Sequence, residues 1–195
     1  MGGPLFSLLR VTGLLAAITL LTWIFMIQMP GRNAARAAEL TNDERQLRSE
    51  LQAYVQKLAG DIGERNVSHY AALNAAVQFI EERFASADLR SRRDSYEVNG
   101  RECHNLEAVI PGRSPEIVVI GAHYDSVYGA PGANDNATGV AGMLALARRF
   151  AKTRPEKTMR FVAFVNEEPP YSKHRRWGVS STPGAAKRTM TESRP

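Results

Sequence analysis

Two unbroken apolar runs, residues 117–120 (Ile-Val-Val-Ile) and 161–165 (Phe-Val-Ala-Phe-Val), constrain the fold of this chain most. A strand with one wet face alternates polar and apolar residues, so continuous runs predict strands covered on both faces. Between them, over residues 137–151, Val140, Leu144 and Ala147 recur on one face of a helix. Strand, helix, strand is a βαβ unit, and the expected fold class is α/β: a mixed, mainly parallel sheet flanked by helices. In such folds ligands bind beyond the carboxyl ends of the strands. His123 and Glu167 both fall just past such an end.

The remaining pattern fits one domain of ordinary size. Thr41 or Asn42 is placed to cap a helix that carries Leu47, Leu51, Val55, Leu58 and Ile62, broken by Gly60. Tyr70, Leu73, Val77, Ile80 and Phe84 predict a second helix with one core-facing stripe. Residues 95–98 and 105–110 read as further strands, the latter closed by Pro111-Gly112. Cys103 is the single cysteine, which excludes an intrachain disulfide and reads as a buried, inert thiol.

Residues 11–29 carry no charge and are long enough to cross a bilayer core of about 30 Å. Residues 1–30 are therefore expected to be an uncleaved, single-pass membrane anchor, followed by a linker over 31–42. Arg10 precedes the span, and Arg32 and Arg36 follow it, so flanking charge leaves orientation open. The net charge of +5 lies wholly at the other end of the chain. Residues 1–171 hold 19 basic and 19 acidic residues, whereas 172–195 hold six basic residues against Glu192 alone. Without interleaved aromatics that tail is no nucleic-acid motif, and no nucleic-acid partner is expected.

Three segments carry chemistry: Gly121-Ala122-His123-Tyr124-Asp125, Gly132-Ala133-Asn134-Asp135-Asn136-Ala137-Thr138-Gly139, and Phe164-Val165-Asn166-Glu167-Glu168-Pro169-Pro170. Imidazole and carboxylate suit zinc, and a metal-bound histidine commonly gives its other ring N–H to a carboxylate. In an extended segment Asp125 lies on the same side as His123 and can reach behind it. Asp135 at the entry of the next helix reads, taken alone, as a helix cap. Adjacent Glu167 and Glu168 after a buried strand are costly unless charge is compensated nearby. Successive side chains diverge along a strand, so one could bind metal while the other faces a water.

Taken together, these segments resemble metallopeptidase family 28, the di-zinc aminopeptidases that include bacterial leucyl aminopeptidase. The likeness runs from about Leu47 to Tyr171. It includes Leu58-Ala59-Gly60, Ile62-Gly63-Glu64-Arg65-Asn66 and Asn105-Leu106-Glu107-Ala108-Val109. The resemblance implies a partial zinc peptidase domain over 43–171 that binds two zinc ions and cleaves peptide substrates. His123 would bind one zinc, Asp135 would bridge both and Glu168 would bind the other. Asp125 would orient His123, and Glu167 would be the general base. It further implies a soluble domain on the periplasmic or extracellular side of the membrane. The alternative is a non-catalytic, membrane-anchored binding module with the same fold.

Members of the family continue after the Glu-Glu-Pro-Pro segment with Met-Gly-Ser and with strands that bring one more Asp and one more His ligand. Residues 172–183 read Ser-Lys-His-Arg-Arg-Trp-Gly-Val-Ser-Ser-Thr-Pro instead. Read one base earlier, the codons of Trp177, Gly178 and Val179 permit Met-Gly-Ser. Those of Ser180, Thr182 and Pro183 permit Leu, Tyr and Ala. A one-base shift near Tyr171 is therefore expected, with residues 172–195 an aberrant basic tail without ordered structure and the chain inactive as written. The nucleotide sequence decides it: a shifted frame that encodes no Asp and His ligands refutes it.

Overall fold

A computed structural model describes residues 3–27 and 39–174. It divides into two units, Met1–Leu40 and Thr41–Pro195. In the first, α1 (Pro4–Thr22) runs on into a π-type turn, Trp23–Ile27. Within it Leu8–Met26 has a mean hydropathy of 1.9 and buries none of its residues, so by length and composition it can cross a membrane. Residues 28–38, which hold the end of the expected span and most of the expected linker, lie outside the described residues.

The second unit begins at the expected cap. Thr41 Oγ1 accepts from the Glu44 N–H, and the Glu44 carboxylate accepts from the Thr41 N–H at 2.7 Å, a capping box at the start of α2 (Asn42–Val55). The apolar stripe of α2 is less covered than its spacing suggests. Leu47 is exposed, Leu51 and Val55 are half-buried, and only Leu58, in the π-type turn Gln56–Ile62, is sealed. By contrast α3 (Tyr70–Ser86) buries Leu73, Val77, Ile80 and Phe84 as expected.

Four strands follow: β1 (Ser91–Val98), β2 (Arg101–Ile110), β3 (Ser114–His123) and β4 (Lys157–Phe164), with α4 (Thr138–Phe150) between the last two. Asn99 and Gly100, both at positive φ, close the β1–β2 hairpin. The sheet order is β1-β2-β4-β3. It is mixed, as expected, but not mainly parallel over the described residues: β1–β2 and β2–β4 pair antiparallel and only β3–β4 is parallel. A tight hairpin forces the first pair, whereas the crossover through α4 allows the parallel one. The two apolar runs part company here. Residues 160–163 of β4 are buried between neighbours, whereas Ile117, Val118 and Val119 of β3 are 46, 41 and 49% exposed, because β3 is the outer strand of the described sheet. α3 packs on β1 and β2, α4 on β3 and β4, and Phe84, Leu106, Val140 and Phe161 sit at the centre of their shared core. Cys103 is buried, and burial raises its thiol pKa, which fits an inert role.

Candidate metal centre

β3 and β4 lie side by side in parallel, and His123 is the register partner of Phe164 at their carboxyl ends. The chain leaves β4 through Asn166, a non-glycine residue at φ 61°. That left-handed step interrupts strand alternation, so Glu167 and Glu168 converge instead of diverging. One ligand atom each from His123, Glu167 and Glu168 lies within 4.8 Å of the others. Asp135 joins through the histidine: its Oδ1 is 2.8 Å from His123 Nε2.

Asp135 is not the helix cap that its position suggested. Residues 133–137 form an irregular turn, and Asn136 Oδ1 accepts the Gly139 N–H at the start of α4. The neighbour thus does the capping and leaves the Asp135 carboxylate, largely exposed, for the cleft. Asp125 is 2% exposed and stands behind His123, with Oδ1 3.5 Å from Nδ1. That distance is too long for a good hydrogen bond. Its hydrogen bonds lie elsewhere: Oδ1 accepts the Glu167 N–H and Oδ2 the Glu168 N–H, at 3.2 and 3.1 Å. The carboxylate expected to orient the histidine also aims the glutamate pair.

Other side chains hold the same loop, and little in the local residue pattern marks them. Asn105 Oδ1 accepts the Val165 N–H, the Tyr96 hydroxyl donates to the Val165 carbonyl, and Asn166 Nδ2 donates to the Tyr96 oxygen. Burial lifts the Tyr96 phenol to about 12 and keeps it a donor. An asparagine between a strand and paired acids was the one legible signal, since asparagine tolerates the left-handed region.

Electrostatically the cleft attracts a cation. Burial pushes the His123 imidazole pKa down, but Asp125 and Asp135 outweigh it and lift it to about 9. Glu168 is raised by burial and then by repulsion from Asp135. Glu168 Oε1 is buried without a hydrogen-bond partner, a donor atom left over by the fold. Imidazole plus carboxylates is a zinc-type donor set. Two ligands of one tetrahedral zinc sit about 3.3 Å apart, so the His123–Asp135 contact needs to open only slightly to admit the ion. The residues present therefore fit zinc.

Residues 105–185 match the family Peptidase family M28. That match passes Tyr171 into residues outside the described part. Among curated relatives, the chain is similar to the uncharacterized protein YfbL of Escherichia coli (strain K12), 32% identical over 130 residues, covering 63% of this chain and 40% of that one. It is also similar to aminopeptidase YwaD of Bacillus subtilis (strain 168), 48% identical over 56 residues, covering 29% and 12%. In fold it is similar to a zinc aminopeptidase from Bacillus subtilis, with a TM-score of 0.57 at 14% identity over 61% of each chain. The chain spans 40% of the longer-matched of these two relatives and a smaller share of the other.

Proposed function

This chain belongs to peptidase family M28, a metallopeptidase family with zinc aminopeptidase neighbours, and from that premise we propose that it is a membrane-anchored zinc aminopeptidase unit. The observation that carries the reading is the convergence of His123, Glu167 and Glu168 within 4.8 Å at the carboxyl ends of β3 and β4. His123, Asp135 and Glu168 would hold two zinc ions, with Asp135 shared between them. Bound zinc supplies Lewis acidity to the scissile carbonyl and to the attacking water. The protein does the rest. Glu167 takes the proton from the water on a carboxylate oxygen and returns it to the nitrogen of the leaving amine. Asp125 keeps Glu167 and Glu168 in place through their amides and backs His123. Leu8–Met26 would anchor the unit, with residues 43–171 outside the cytoplasm.

Catalytic zinc sites usually have three protein ligands, whereas among the described residues each ion would have one terminal ligand and the shared Asp135. Weak zinc binding and little turnover are therefore expected of residues 1–195 alone. The test is zinc content, together with hydrolysis of an aminoacyl-anilide at raised zinc concentration. His123→Ala should abolish zinc uptake, and Glu167→Gln should abolish turnover while keeping zinc. Zinc that survives the first substitution, or turnover that survives the second, refutes the assignment.

A further inference from the structure

Arg65 is among the largest fully buried side chains, at 0% exposure, yet it forms no ion pair among the described residues. Its guanidinium donates only to backbone carbonyls. Nε donates to Tyr124 O at 2.6 Å, Nη1 to Leu58 O, Gly63 O and Pro131 O, and Nη2 to Gly132 O at 2.9 Å. The main chain adds two ties, Arg65 N–H to Ser126 Oγ and Ser126 N–H to Arg65 O. Burial lowers the guanidinium pKa to about 10, with Asp125 the charge that opposes the shift.

Burying a cation without a carboxylate partner is expensive, and a hydrophobic residue would fill the space more cheaply. The carbonyls it collects explain the choice. Tyr124 lies between His123 and Asp125, and Pro131 and Gly132 lead directly into the turn that carries Asp135. One planar group thus fastens both ends of the loop between the two site residues that meet at 2.8 Å. Only arginine offers five donors in a fixed fork; lysine has three on a flexible stem. Gly132 marks the same joint. It has φ +58°, and a Cβ there would lie 2.6 Å from Asp135 O and 3.2 Å from Arg65 Nη2.

We propose that Arg65 is a positioning residue of the metal centre, a backbone clamp that sets the spacing of His123 and Asp135. It rests on the zinc reading above for its functional consequence. The experiment compares wild type, Arg65→Gln, Arg65→Lys and Gly132→Ala in the full chain, by amide hydrogen exchange and by zinc competition against a chelator. Arg65→Gln should speed exchange at Ser126 and Ala137, whose amides bond to Arg65 O and Gly132 O, by about tenfold or more. Amides of β4 and α4 should stay protected. Zinc affinity should fall about 10- to 100-fold, and Arg65→Lys should recover part of both effects. Gly132→Ala should loosen the same amides and decides the matter if Arg65→Gln does not fold. Exchange that rises uniformly through β4 and α4, or a loosened loop with unchanged zinc affinity, overturns the clamp. If the wild-type chain takes up no zinc, the functional reading fails by itself. The exchange comparison still decides Arg65: a loop-confined rise supports the clamp, and no rise overturns it.

Discussion

Replacing Asp125 with asparagine tests the centre most sharply, because the substitution is nearly isosteric and removes only charge and one acceptor. The wild-type carboxylate takes two amide donors, Glu167 N–H and Glu168 N–H, at 3.2 and 3.1 Å. A hydrogen bond to a charged group contributes about 1.5–3 kcal/mol, and these are long, so the lower figure applies to each. Asparagine keeps one acceptor and turns an NH2 toward the other amide, which leaves that part-buried donor unsatisfied. One bond lost at about 1.5 kcal/mol and an unpaired donor at about 1–1.5 kcal/mol give an expected loss of about 3 kcal/mol, or roughly 10 °C in Tm for a unit of this size. Urea unfolding followed by circular dichroism measures it. Because the same carboxylate aims the glutamates and backs His123, zinc affinity should fall about 10- to 100-fold in the folded variant. A variant within about 0.5 kcal/mol of wild type, the range of an uninvolved surface substitution, with unchanged zinc affinity, would refute the view that Asp125 organises the loop.

Three further outcomes follow from the packing and charge. Phe161→Ala empties a position with 0% exposure in the central strand and should cost about 3–5 kcal/mol in urea unfolding. Val119→Lys places a charge on the exposed outer strand β3 and should reduce light scattering in concentrated samples without lowering Tm by more than a degree or so. Glu107 is raised by burial but lowered more by its bonds to Arg160 and Arg92, so its folded pKa lies below the ordinary carboxylate value. Its contribution is present above the unfolded pKa and lost as pH falls through the folded one. Acid titration of Glu107→Gln should therefore show a shallower loss of stability below about pH 4.5 than wild type.

Much of the fold was legible because it is periodic. The stripe of α3 and the βαβ unit around α4 follow from residue spacing, and the elements appear where spacing put them. The site motifs were legible because His, Asp and paired Glu gather at strand ends. What escaped was everything that depends on contacts distant in sequence. β3 and β4 have similar composition, but one is an outer strand and the other central, and composition does not encode which. Arg65, Asn105 and Tyr96 act by bonding to backbone 59 to 69 residues away, and no local pattern marks such a bond. Asp135 and Asn136 are adjacent candidates for one cap, and only the fold decides that Asn136 takes it.

The parallel seam between β3 and β4 acts as a ruler for the centre. Neighbouring strands run about 4.7–4.9 Å apart, which spaces the two stems from which His123 and the glutamate pair leave the sheet. The turn at Asn166 and the side chains beyond it then bring the ligand atoms of His123, Glu167 and Glu168 within 4.8 Å of one another. Substitutions at positions 123, 167 and 168 can change which ion is preferred by changing donor chemistry, but they cannot widen the gap between the two stems. Sliding one stem along the other would need an altered strand register, which makes the offset of His123 from the glutamate pair a property of the sheet.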